Sequence, residues 1–185
     1  MRGARLAAAG WIAVAALAGC GGGGKSASHA QGSLHLALAN YILQIEPLRL
    51  SVNRLLDRAD PILHAYHDHR ITPAQAASRM DALERQFAAY AVDIAAIQPA
   101  NGPLRPLHDQ YAGTYVFEDS YLSALVSGLR QRDLSHLPDT QNEQRAAIIR
   151  WRIGLSVLAR KTGVTLPADL QQAGRGEIAP SPVGS

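Results

Sequence analysis

The chain has 185 residues, of which 18 are basic and 15 are acidic. This length predicts one folded domain around a single hydrophobic core. The one cysteine excludes an internal disulfide, so the core must stabilise the fold. The small net positive charge is not typical of a protein that binds nucleic acid.

The chain begins with a short positive segment containing Arg2 and Arg5, which an apolar run from Leu6 to Leu17 follows. The run is too short to cross a bilayer, which takes a helix of about 20 residues. Its layout is that of a secretory signal peptide. The end of the run, Leu17-Ala18-Gly19-Cys20, resembles the lipobox of bacterial lipoproteins.

This resemblance covers residues 1–20 and implies that residues 1–19 are removed and that the Cys20 thiol carries lipid. It therefore implies an extracytoplasmic location, on the outer face of the plasma membrane or at the outer membrane of an organism that has one. Removing Arg2 and Arg5 leaves 16 basic and 15 acidic residues, a net charge of about +1. The expected partners are the membrane, through the lipid, and an unidentified envelope protein or ligand; no cofactor and no nucleic acid is expected.

Residues 20–33 are rich in glycine, serine and alanine and predict a flexible tether. A first helix is expected after Ser33, which suits the N-cap position. Because its apolar stripe keeps one phase across Pro47 and Pro61, we expect one long helix that is bent or interrupted at those prolines. The stripe comprises Leu34, Leu38, Tyr41, Ile45, Leu48, Val52, Leu55, Ala59, Ile62 and Tyr66.

A second helix is predicted at Pro73, where Thr72 and Gln75 fit a capping box. A third helix follows Pro103 or Pro106. Its predicted core stripe contains one carboxylate and comprises Leu104, Leu107, Tyr111, Tyr115, Glu118, Leu122, Leu125 and Leu129.

A fourth helix is expected to begin at a capping box formed by Thr140 and Glu143 and to end at Gly163. It carries two apolar rows: Ile148, Arg152, Leu155 and Ala159 in one, Ile149, Ile153 and Val157 in the other. Four amphipathic helices with short connections predict an all-α fold, an up-down-up-down four-helix bundle over residues 34–173. A short C-terminal helix near Leu170 and a flexible tail over residues 174–185 complete the prediction.

Two members of these core stripes are charged, Glu118 and Arg152. A buried carboxylate without a partner is costly, and their predicted depths lie within reach of an arginine side chain. We therefore predict a polar layer inside the bundle that comprises Glu118, Arg152, Tyr115 and Tyr90. Such a layer is either structural, fixing the register of the helices, or it lines a ligand pocket.

His64 and His67 are three residues apart near the end of the first helix, where imidazoles can share a helix face and a metal ion. The alternative is that they are exposed residues whose positive charge suits a helix C-terminus. A metal site is not expected, because it needs three or four converging ligands.

The sequence contains no H-E-x-x-H, G-x-S-x-G or Walker-type motif. We therefore expect a non-catalytic binding protein of the cell envelope. The alternative is a lipoprotein that binds a small ligand or a metal through the interior polar layer.

Overall fold

The computed structural model describes the backbone of residues 23–100 and 102–171, and side chains from residue 32 onward. Within those ranges every regular element is an α-helix. The predicted signal peptide, the predicted lipidation site Cys20 and the predicted tail from residue 174 lie outside the described residues. The elements are α1 (Gly23–Leu56), α2 (Ala59–His67), α3 (Pro73–Ala96), α4 (Leu104–Gln131), α5 (Gln141–Thr162) and α6 (Ala168–Gln171).

The first predicted helix is divided into α1 and α2 by a turn at Asp57 and Arg58. Helix α1 begins at Gly23, so Ser33 is not its N-cap as the sequence predicted. It also continues through Pro47, which is exposed, so the Leu43 carbonyl that lacks its usual partner can be hydrated. Pro61 lies in the first turn of α2, where a missing N–H costs little.

The capping box at the start of α3 is confirmed, because the Gln75 backbone N–H donates to Thr72 Oγ1 and the Thr72 N–H donates to Gln75 Oε1. The predicted box at Thr140 and Glu143 is wrong. Thr140 has helical dihedral angles (φ −99°, ψ −11°) and its side chain makes no capping hydrogen bond. A residue at the N-cap normally has extended backbone angles, which allow its side-chain oxygen to accept a hydrogen bond from the N–H groups of the first turn. Gly163 ends α5 with a positive φ of 74°, as predicted.

One hydrophobic core joins all six helices. Helix α4 packs mainly on α3 and α5, while α1 packs on α3 and α5 and α2 packs on α3. The predicted stripe of α4 is buried throughout, except that Leu107 is half-buried. The second apolar row of α5 is not part of the core, because Ile153 and Val157 face solvent on the side of α5 opposite its buried row.

Helix α5 lies close to α4 at Gly154, where an added Cβ would overlap the Leu107 side chain. Helix α6 buries Leu170 against the core. Among the residues that the structure describes, no helix is both long enough and apolar enough to cross a membrane.

Candidate functional site: the polar groups of the interior

Glu118 is fully buried on α4 and accepts a hydrogen bond from α5. Gln144 Nε2 donates to Glu118 Oε2 at 2.7 Å and lies 3.3 Å from the backbone oxygen of Thr114, one turn before Glu118. Gln144 is itself buried in the first turn of α5. A neutral amide thus satisfies part of the carboxylate that interrupts the apolar stripe.

An aromatic cluster fills the interior further toward the start of α4. Tyr111 stacks on Trp151 with ring centroids 4.0 Å apart, and its hydroxyl lies 3.0 Å from that of Tyr115. Trp151 Nε1 donates to Tyr41 Oη at 3.1 Å, and that hydroxyl lies 3.3 Å from His108 Nδ1. Polar atoms of buried aromatic residues on α1, α4 and α5 are thereby hydrogen-bonded to one another.

Burial controls the protonation of this cluster. It raises the pKa of Tyr41 well above its ordinary value, a shift that the Trp151 hydrogen bond opposes and Asp109 reinforces. Burial, followed by the charge of Glu118, raises the pKa of Tyr121 in the same direction. Both phenols are therefore neutral hydrogen-bonding groups at physiological pH.

Burial also lowers the pKa of His108 below 6.5, with a smaller contribution in the same direction from Arg105. The charge of Asp109 and the Ile94 carbonyl act in the opposite direction. The imidazole therefore favours its neutral form. Its surroundings are those of an aromatic core residue, edge-on to the Tyr41 ring.

A second polar cluster joins α1, α5 and α6. Arg49 is fully buried and binds Glu46 with two bonds, Nη2 to Oε1 at 2.8 Å and Nε to Oε2 at 3.1 Å. Arg49 Nη2 also donates to the carboxylate of Asp169 on α6. Arg152, buried on α5, has Nη1 3.3 Å from the Asp169 backbone oxygen. Two buried arginines thus hold the short helix α6 in place.

The residues of the predicted polar layer differ in burial. Glu118, Arg152 and Tyr115 are buried, whereas Tyr90 is half-buried and packs against the core. Glu118 lies at the level of Gln144, but Trp151, next to Arg152, lies at the level of Tyr111.

The backbone positions of the two charged residues are about 10 Å apart along the bundle, because Tyr111, which stacks on Trp151, precedes Glu118 by two turns of α4. The Arg152 side chain extends beyond its own backbone level, since Nη1 lies 3.3 Å from the backbone oxygen of Asp169, whose carboxylate binds Arg49. The described contact of Glu118 with α5 is made by Gln144, in the first turn of that helix.

The space around Glu118 is almost completely filled. A cavity of about 10 Å³ remains there, lined by Val52, Phe87, Thr114, Tyr115, Glu118 and Gln144. That volume is about the minimum for one water molecule, whereas small-molecule sites have volumes of about 300 Å³ or more. The space beside Glu118 therefore has no room for a ligand.

Sequence reasoning did not identify Arg49 and Gln144 as members of these clusters. A signal for both was present, because Arg49 lies four residues after Ile45 and three before Val52, on the buried row of α1. Gln144 likewise lies four residues before Ile148 on the buried row of α5. The buried position of each follows from helical spacing alone.

The histidines near the end of α2 are exposed. His64 and His67 both face solvent, and His67 Nδ1 lies 3.7 Å from Asp68 Oδ1. Nowhere in residues 32–100 and 102–171 do three His, Cys, Asp or Glu side chains form a group that could hold a metal ion. An open cleft of about 710 Å³ lies at the turn that follows α2, and His67, His69, Arg70 and Arg132 line part of it.

Comparison of the chain with protein-family models, with curated proteins and with solved structures finds no match.

Proposed function

We propose that the protein is a lipid-anchored, extracytoplasmic helical protein of the bacterial cell envelope, and that it acts by binding another envelope component rather than by catalysis. The observation that carries the anchor is the order of elements at the N-terminus. Arg2 and Arg5 precede an apolar run that ends in Leu17-Ala18-Gly19-Cys20. These residues precede the described part of the chain, so the support for this step comes from the sequence.

We further propose that the four long helices form an up-down-up-down bundle. Contacts between α1 and α5 support this, because His35 bonds to Thr162 whereas Tyr41, further along α1, bonds to Trp151, earlier in α5. Contacts of α4 with its two neighbours follow the same antiparallel order. Between α3 and α4, Asp81 contacts Arg130, whereas Phe87, later in α3, contacts Tyr115, earlier in α4. Between α4 and α5, Tyr111 contacts Trp151, whereas Glu118, later in α4, contacts Gln144, earlier in α5.

The interior polar groups have a structural role, so we place the binding of a partner on the outer surface. Glu118 is bonded by Gln144 in a nearly filled space, and Arg49 is bonded by Glu46 and Asp169. Buried polar groups that are satisfied in this way fix the packing of helices. We therefore do not place the small-ligand alternative in the interior, and we assign recognition of a partner to the outer surface.

Labelling cells with radioactive palmitate tests the anchor. We expect the wild-type chain to incorporate label and Cys20→Ser to incorporate none, because Cys20 has the only thiol in the chain. Cys20→Ser should also accumulate as the longer, unprocessed precursor. Ser26→Ala, a matched change in the same segment, should be labelled and processed normally. Equal labelling of the wild type and Cys20→Ser would exclude the anchor.

A further inference from the structure

The outward face of α1 carries a row of exposed leucines. Leu36, Leu43 and Leu50 are 64%, 73% and 38% exposed. They are spaced seven residues apart, which is two helical turns, so they lie in one line about 21 Å long. The buried residues of α1, such as Leu38 and Ile45, lie on its opposite side. Folding of this chain therefore leaves most of the surface of Leu36 and Leu43 exposed to solvent.

The same face carries little charge. Between Ser33 and Asn53 the charged residues of α1 are Glu46 and Arg49, which bind each other, and the exposed His35 bonds to the Thr162 carbonyl. Arg49 is moreover buried against α6. The exposed positions beside the leucines are Asn40, Gln44 and Pro47 and, at the end of the row, Arg54. A surface of low charge that displays aligned leucines can be transferred from water into an interfacial environment with little removal of water from ions.

We propose that this leucine face of α1 rests on the bilayer that anchors Cys20. The inference depends on the proposed lipidation. Cys20 is three positions before Gly23, where α1 begins, so the start of α1 lies within about 10 Å of the lipidated residue. The acyl chains attach the protein, and the leucines set its orientation by entering the headgroup and acyl boundary, where amphipathic helices insert about 5–10 Å.

A second copy of this chain is the other occupant that the spacing suggests, and the sequence disfavours it. Parallel pairing of two helices needs apolar residues at a second position, three or four residues from each leucine. The residues three positions after the leucines are Ala39, Glu46 and Asn53, and those four positions after them are Asn40, Pro47 and Arg54. Neither set forms a continuous apolar seam, because one contains a glutamate and an asparagine and the other a proline and an arginine, so the observations favour the bilayer.

Tryptophan fluorescence in vesicles tests this orientation. Leu43→Trp places a probe on the leucine face, and Val92→Trp places a matched probe on α3, where Val92 is 68% exposed. The purified, lipidated chain is reconstituted into phosphatidylethanolamine and phosphatidylglycerol vesicles whose acyl chains are brominated near the headgroup. The signal of the wild type, whose Trp151 is buried, is subtracted. We expect bromine to quench the probe of Leu43→Trp at least about twofold more than that of Val92→Trp.

The possible results separate this inference from the proposed function. If the chain does not co-sediment with the vesicles, the lipid anchor is wrong. If it co-sediments and bromine quenches the two probes equally, the anchor stands and the orientation is wrong. A blue-shifted emission of Leu43→Trp that bromine does not quench would also overturn the inference and would indicate a second copy. Leu36→Trp gives a second probe on the same face, and unchanged circular dichroism verifies the fold of each variant.

Discussion

The interior of the helical fold contains buried charged residues, whereas the outward face of α1 contains exposed apolar residues. In the interior, the charged residues Glu118 and Arg49 are fully buried and each is held by hydrogen bonds to neighbouring side chains. On the outward face, large apolar side chains such as Leu43 are exposed. A buried charge is tolerated only with partners, so folding accounts for the interior. Folding does not explain an aligned row of exposed leucines, so we expect this row to have a role in function.

Among the substitutions in the interior, Trp151→Ala should lower the free energy of unfolding most. Trp151→Ala removes a stack on Tyr111 and a hydrogen bond to Tyr41, and the cavity left in the core should cost roughly 3–5 kcal/mol of unfolding free energy. Urea unfolding followed by circular dichroism measures this cost. Ile153→Ala, two residues away but exposed, should change the free energy by less than about 0.5 kcal/mol. If Trp151→Ala and Ile153→Ala lowered the free energy of unfolding by similar amounts, the proposed difference between the interior and the surface of α5 would be contradicted.

Arg49 should have the next largest effect. Arg49→Met leaves the carboxylates of Glu46 and Asp169 without their buried cation. Both carboxylates are partly exposed and can recover some hydration, so we expect a loss of roughly 2–3 kcal/mol, below the full cost of breaking a buried pair. Arg54→Met, an exposed change on the same helix, is the control for urea unfolding. An unchanged free energy of unfolding for Arg49→Met would show that this cluster does not stabilise α6.

His108 should give a smaller effect that depends on pH. Burial lowers its pKa in the folded chain below 6.5, so the unfolded chain binds the proton more readily. The contribution to stability is therefore present above pH 6.5 and is lost as the pH falls below it, by at most about 1.4 kcal/mol per pH unit. His108→Gln should reduce this loss in urea unfolding at about pH 7.5 and 5.5, whereas the exposed His136→Gln should not. Identical pH dependence in wild type and His108→Gln would contradict the assignment.

The helices could be predicted from the sequence wherever local chemistry determines them. The Thr72–Gln75 capping box and the left-handed Gly163 mark boundaries through local backbone preferences. The start of α1 was missed, because a helix that is already formed adds a hydrogen bond with each further residue and can extend into a segment of low propensity. The sequence shows two apolar rows on α5 but not that the row with Ile153 and Val157 is exposed, because apolar spacing does not indicate which face packs against a neighbouring helix.

The polar clusters could be predicted only in part. The burial of Glu118 follows from its place in an apolar stripe, but its partner Gln144 does not, because that contact depends on the register of α5 against α4. Arg49 and Asp169 are 120 residues apart in the chain and meet only because α6 folds back onto α1. Such a contact depends on tertiary packing, which periodicity along one helix does not encode.

The central claim, that the interior polar groups are structural and are held by polar partners, is tested most directly by two double-mutant cycles in urea unfolding. The first combines Glu118→Met with Gln144→Leu, and the second combines Glu118→Met with Arg152→Met. We predict a coupling free energy of at least about 1 kcal/mol in the first cycle, because the partners share a buried hydrogen bond. In the second we predict a smaller coupling free energy than in the first, because the backbone positions of Glu118 and Arg152 are about 10 Å apart along the bundle. Stronger coupling of Glu118 to Arg152 than to Gln144 would contradict the account.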